Sequence, residues 1–267
     1  MKKLSIALLV LVIAAVSCTP SKTNSSSTAK IVKPSARTMK QNPYYEMRTY
    51  YAAPGKLDDL SARFRNNTMR IFAKHGMVNV GYWIPLENPE NKIVYILSYP
   101  SREARDVSWK AFSADPEWQA VAKASEANGK LVLKVESVFM ENTDYSPAFK
   151  EAMDNSSRIF ELRTYTASAG NIDILHDRFR DHTLRLFKKH GITNIAYFKP
   201  TDEKQKNLLV YLIAHQSKAA ADVSWKAFRE DQEWVKAKAA SEVKGGGSLT
   251  TKVESVYMKP TDYSPVK

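Results

Sequence analysis

The 267 residues contain one cysteine, Cys18. No disulfide, cysteine-ligated metal or redox pair can form within the chain, and no thiol nucleophile exists beyond the first eighteen residues. Long apolar runs are also missing. Leu4 to Val16, broken only by Ser5, would rise about 20 Å as a helix, short of the roughly 30 Å hydrocarbon core that a spanning segment must cross. No Walker loop, dinucleotide fingerprint or Ser-His-Asp signature is present, so phosphoryl transfer, nucleotide-cofactor chemistry and serine hydrolysis have no motif to rest on. No DNA- or RNA-binding motif is found either.

The net charge of +12 is unevenly placed. Residues 1–43 hold seven lysines or arginines and no acid, residues 44–147 balance 13 against 13, and residues 158–265 carry 18 basic against 13 acidic residues. A nucleic-acid protein places its basic stripe on the domain that docks, so no nucleic-acid partner is expected. Met1-Lys2-Lys3 followed by the short apolar run reads as a secretory signal. Ala15-Val16-Ser17-Cys18 resembles the lipobox of bacterial lipoproteins, departing from it at Ala15, where leucine is preferred. The resemblance implies a signal peptide over 1–17 and acylation of Cys18, with membrane lipid as the first partner; several acyl chains hold a protein stably. Residues 18–43, rich in Ser, Thr, Lys and Pro, cannot bury enough surface to fold and are expected to form a disordered tether. Its basic residues Lys22, Lys30, Lys33, Arg37 and Lys40 either attract anionic headgroups or are simply solvated. No acidic cluster follows Cys18, which favours the bacterial outer membrane facing the periplasm.

What the chain has in abundance is repetition. Residues 44–147 and 158–265 share Glu-x-Arg-Thr-Tyr, His-Gly, Asp-Val-Ser-Trp-Lys-Ala-Phe, Val-Glu-Ser-Val and Thr-Asp-Tyr-Ser-Pro, and 44–85 matches 159–200 at 20 of 42 positions. The ten residues 148–157 link them. In the first repeat, alternation predicts a strand over Tyr44–Tyr51. Leu57, Leu60, Phe64, Ile71 and Phe72 predict an amphipathic helix over 56–75 that ends at Gly76. Strands follow at Met77–Ile84 and Ile93–Tyr99, joined as a hairpin. Ser101 and Asp115-Pro116 look like caps for helices to Phe112 and Ala127, and Leu131–Met140 is the last strand. Strand, helix, strand, strand, helix, strand is the ferredoxin-like βαββαβ order of an α+β fold. Apolar side chains on both faces of each strand predict two repeats packed sheet to sheet, as a dimeric α+β barrel fused into one chain.

At these residues the chain resembles the NIPSNAP family. The likeness lies in Glu46–Tyr50, Phe64–Thr68, His75-Gly76, Gly81–Trp83, Ser108–Phe112 and Thr143–Tyr145, and again in Glu161–Tyr165, Phe179–Thr183, His190-Gly191, Ser224–Phe228 and Thr261–Tyr263. The second copy departs at Ala196-Tyr197-Phe198. The resemblance implies the dimeric α+β barrel and little about activity.

Repetition also filters the candidate functional residues. Of five histidines only His75/His190 recurs; His176, His182 and His215 correspond to Ser61, Asn67 and Tyr99. No metal site is expected from them. His75 and His190 read either as packed helix-end residues or as general bases, and haem ligation is the one cofactor alternative; otherwise no cofactor is expected. Arg48/Arg163 with Tyr50/Tyr165 share a strand face with Glu46/Glu161. They read as a structural ion pair across strands, or as a carbonyl- or anion-binding group with a phenolic donor. Arg65/Arg180 and Thr68/Thr183 could line the space between helix and sheet. Tyr82/Tyr197 and Tyr95/Tyr211 could present hydroxyls to a ligand. Trp109/Trp225, Phe112/Phe228 and Trp118/Trp234 read as core. Two function classes remain. One is a membrane-tethered binding or scaffold protein with a small-molecule or protein partner. The other is a small-molecule enzyme, a cofactor-independent monooxygenase or a haem protein. Convergence of Arg48, Tyr50, Thr68 and His75 on one pocket would favour the enzyme.

Overall fold

A computed structural model describes residues 43–149 and 158–267. The signal peptide, Cys18, nearly all of the tether and most of the 148–157 connection lie outside the described residues.

The first repeat runs β1 (Tyr44–Ala52), α1 (Leu57–Arg63), a π turn (Phe64–Thr68), α2 (Met69–Lys74), β2 (Val78–Pro85), β3 (Lys92–Tyr99), α3 (Arg102–Ala114), α4 (Pro116–Ser125) and β4 (Val132–Asn142). The second repeats it as β5 (Ile159–Ala167), α5 (Ile172–Arg178), a π turn (Phe179–Thr183), α6 (Leu184–Lys189), β6 (Thr193–Pro200), β7 (Leu208–His215), α7 (Lys218–Glu230), α8 (Gln232–Lys244) and β8 (Thr250–Pro260), with a short 3₁₀ turn at Glu203–Gln205. Local chemistry explains the boundaries. Ser101 and Ser217 accept from the amides of Ala104 and Ala220 at the starts of α3 and α7. Asp115 and Asp231 do the same for α4 and α8. Gly76 and Gly191 sit at φ +76° and +77°, where a side chain would be strained.

One expectation needs correction. The helix over 56–75 is not continuous α-helix, nor is its copy. Each carries a π turn, in which the Thr68 and Thr183 hydroxyls donate to the carbonyls of Arg63 and Arg178, five residues back. The wider turn leaves carbonyls without an in-register amide, and the threonine takes one of them.

The strands close into one eight-stranded barrel in the order β1-β3-β2-β8-β5-β7-β6-β4. Each repeat supplies an antiparallel four-strand sheet, β4-β1-β3-β2 or β8-β5-β7-β6. The two sheets face each other as expected, and their edges also pair, β2 with β8 through Trp83–Pro85 and β4 with β6 through Met140–Asn142. Strand alternation then sorts the side chains. Tyr45, Met47, Trp83, Ile96, Phe160, Phe198 and Leu212 fill the barrel interior. Tyr44, Tyr50, Tyr82 and Tyr95 face the helices and pack on Leu60, Phe64, Phe72 and Phe112. Among the described residues no helix is long and apolar enough to cross a membrane.

Candidate functional site

Each repeat carries a charged row on the helix-facing side of its first strand. Glu46 and Glu161 are both fully enclosed, and a buried carboxylate persists only when donors surround it. Glu161 accepts from Arg163, from His215 Nε2 at 3.0 Å, from Trp225 Nε1 at 2.8 Å and from Ser255 Oγ at 2.6 Å. Burial alone would raise its carboxyl. The His215 bond, the Arg163 charge and the Ser255 and Trp225 bonds outweigh that and bring it down to about 2. Glu46 shifts the same way, its burial overcome by Arg105 and Arg48. The expected ion pair across strands is instead a pair along one strand, Glu46 with Arg48 and Glu161 with Arg163. Alternate residues share a face about 6.6 Å apart, within reach of an arginine. The Arg48 and Arg163 guanidinium groups lie over Trp109 and Trp225, 4.4 and 4.5 Å from the ring centroids.

In the second repeat this row opens into a cleft of about 550 Å³ between β5, β8 and the α7–α8 corner. Glu161, Arg163 and Ser255 lie along the sheet. Tyr165, Trp225, Phe228, Trp234 and Tyr257 supply aromatic walls, and Asp222, Arg229 and Lys238 form a charged rim. A volume of this size suits a small organic molecule. Burial, then the Glu161 charge, pushes the Tyr257 hydroxyl up to about 12, so it stays a donor at neutral pH.

Of the candidate residues singled out from the sequence, Arg163 and Tyr165 line this cleft beside Glu161, and so do Trp225, Phe228 and Trp234, which the sequence reads only as core. Arg48 and Tyr50 hold the matching places in the first repeat, where Arg105 reaches in from α3 and binds Glu46 through two nitrogens at 2.8 and 2.9 Å. The others are placed elsewhere. His75 and His190 end α2 and α6, each with Nε2 2.6 Å from the N-cap aspartate of α4 or α8, Asp115 or Asp231. Lys189 and then His190 lower the Asp231 carboxyl to about 2, and Lys74 and His75 lower Asp115. Thr68 and Thr183 serve the π turns. Arg65 and Arg180 cross to the opposite repeat, each as a two-pronged pair with Asp262 or Asp144. Tyr82, Tyr95, Tyr197 and Tyr211 are fully buried and stack in pairs, with centroids 5.2 Å apart. The Tyr82 and Tyr197 hydroxyls donate to Asn79 and Asn194 at 2.5 Å. These tyrosines thus seal the space under the helices and offer no hydroxyl to the cleft. Arg48 and Tyr50 stay together, the guanidinium 5.5 Å from the Tyr50 ring centroid, but Thr68 and His75 are engaged elsewhere, so the four do not converge on one pocket. Among the described residues no three His, Cys, Asp or Glu side chains group as a metal site would require.

Sequence reasoning missed Ser255, Tyr257, Arg229 and Lys238. The last three stand where the first repeat has Phe139, Ser113 and Ala122. The signal for these three lies in the positions where the two copies differ, not in what they share.

The Thr-Asp-Tyr-Ser-Pro words act as reciprocal clasps between repeats. Tyr263 meets Ser61 at 3.1 Å and Tyr145 meets His176 Nδ1 at 2.7 Å. Ser264 and Ser146 accept the backbone amides of Tyr82 and Tyr197, each at 2.9 Å.

Comparison with known proteins fits this architecture. The NIPSNAP family model matches residues 45–147 and again 160–265. Protein NipSnap homolog 3A of Pongo abelii is 24% identical over 225 residues, covering 84% of this chain and 86% of that protein. Two solved structures provisionally assigned to the monooxygenases share the fold. The one from Fusobacterium nucleatum has a TM-score of 0.55 at 10% identity, covering 83% of this chain and 94% of its own. The one from Lactobacillus acidophilus has 0.53 at 9%, covering 85% and 99%. With both repeats matched, over most of its length, the chain belongs to the NIPSNAP family.

Proposed function

We propose that this NIPSNAP-family chain is a binding protein of the bacterial cell envelope that holds a small organic molecule in the cleft of its second repeat. One observation carries the reading. Arg163 and Tyr165 border an open, aromatic-walled cleft, whereas the recurring histidines are tied to helix caps away from it. The Glu161 carboxylate beside Ser255 is occupied by four donors and held down to about 2, a weak base, so the cleft offers donors and aromatic faces suited to holding a molecule rather than transforming it. The test is native mass spectrometry of the chain purified from its own bacterium. A small organic adduct, lost on Trp225→Ala, is the expected result; a ligand-free spectrum together with no thermal shift from any compound in a broad organic library would sink it. The alternative, a cofactor-independent monooxygenase or haem protein, draws on fold likeness alone. A Soret band, or oxygen consumption with a bound substrate, would establish it instead.

The same proposal places the protein on the outer membrane facing the periplasm, anchored through acylated Cys18. Cys18→Ala is expected to move it from the membrane to the soluble fraction. Unchanged retention would remove the lipid anchor from the proposal.

A further inference from the structure

We propose that only the second repeat binds, that its ligand is a flat organic anion, and that the first repeat is closed by its own Arg105; this rests on the binding reading above. The two repeats share one framework, so their differences around the charged row can be read as a controlled comparison. In the first repeat the Arg105 guanidinium sits against Glu46, 5.0 Å from the Phe139 ring centroid and 5.4 Å from that of Trp109. The residues corresponding to these three are Glu161, Tyr257 and Trp225, and all three line the cleft of the second repeat. The position of Arg105 is there taken by Ala221. The long side chain that fills this space in one copy is thus absent from the other. His215 stands where Tyr99 donates to Glu46 in the first repeat, and Ser255 adds a bond to Glu161 in the absence of the arginine.

The remaining exchanges point to the ligand's charge. Arg163 is neutralised by Glu161, Asp222 by Lys218 and Lys238 by Glu242. Arg229 has no carboxylate partner among the described residues, so the rim carries an uncompensated positive charge. In the first repeat the positions of Arg229 and Lys238 hold Ser113 and Ala122. The copy that has opened is also the copy that has gained cations. In the space that Arg105 fills in the first repeat, a ligand ring would meet Tyr257 and the part of Trp225 that Arg163 leaves uncovered, and a carboxylate or sulfonate on that ring would meet Arg229.

The test uses the full chain carrying Cys18→Ala, free of detergent, titrated with 1-anilinonaphthalene-8-sulfonate. One molecule per chain is expected. Ala221→Arg should abolish binding, and Arg105→Ala with Tyr99→His should raise it to two per chain. Arg229→Ser with Lys238→Ala should weaken the sulfonate about fivefold to tenfold, the loss falling mainly on Arg229, whose charge is uncompensated. It should leave the uncharged N-phenyl-1-naphthylamine unchanged. A folded Ala221→Arg protein that still binds one sulfonate overturns the assignment, as does a converted first repeat that gains no site. If Ala221→Arg fails to fold, the rim double variant decides, and equal loss of both dyes overturns the anion class. Wild-type protein that binds neither dye defeats the binding reading itself, whereas binding that ignores these substitutions defeats only this inference.

Discussion

Glu161 stays charged at zero exposure because four donors converge on it. That arrangement makes its contribution to stability pH-dependent. Its folded value, about 2, lies below the ordinary 4.5. The stabilisation is therefore fully present above pH 4.5 and is lost as pH falls from there through about 2. Glu161→Gln should cost roughly 3–5 kcal/mol at neutral pH, since Arg163 would be left buried without its counter-ion. Urea unfolding at pH 7 and pH 3 checks this: the gap between wild type and variant should narrow at pH 3, and a gap of constant size would refute the carboxylate account. Gly81 and Trp83 show how a residue can be visible in sequence while its reason is not. A Cβ on Gly81 would strike the Trp83 indole. In the second repeat Ala196 is tolerated because Phe198 replaces the tryptophan. What looks like two separate losses from the family pattern is one coupled exchange.

Among the elements, strands and caps were legible because their determinants are local. Alternation marks β1, Ser101 caps α3, and Pro116 opens α4. The π turns were not, since the apolar spacing of Leu60, Phe64 and Phe72 satisfies an ordinary helix. The closing Thr-Asp-Tyr-Ser-Pro words were visible as repeats, but their partners lie in the other copy, far away in sequence. Their members should differ in weight. Ser264 is buried and takes the Tyr82 amide, so Ser264→Ala should cost about 1–3 kcal/mol by leaving that donor unpaired. Asp262 pairs with Arg65 at an exposed position, so Asp262→Asn should cost less than about 1 kcal/mol. Denaturant midpoints rank the two, and a larger loss for Asp262→Asn would contradict this view of the clasp.

At the scale of the whole molecule, the barrel belongs to neither repeat. Its interior joins Trp83 to Phe160 at 5.6 Å and Tyr45 to Phe198 at 5.1 Å, one ring from each copy. The repeat made such a pairing legible, but the edge-to-edge closure through β2–β8 and β4–β6 depends on backbone groups that every sequence carries. Separating the halves would expose Tyr45, Trp83, Met140, Phe160, Phe198 and Met258 together. At roughly 1.5–3 kcal/mol per large apolar side chain, these six supply on the order of 9–18 kcal/mol. The entropy regained by two free bodies is roughly 4–15 kcal/mol, and the two seams and two clasps add to the side that holds. Covalent continuity between the repeats should therefore be dispensable once the barrel has formed. A protease site placed within residues 150–157 and cut after folding should leave both pieces eluting as one species of unchanged size, parting only in denaturant. Elution as two separate halves would mean that the seams are too weak to define the fold.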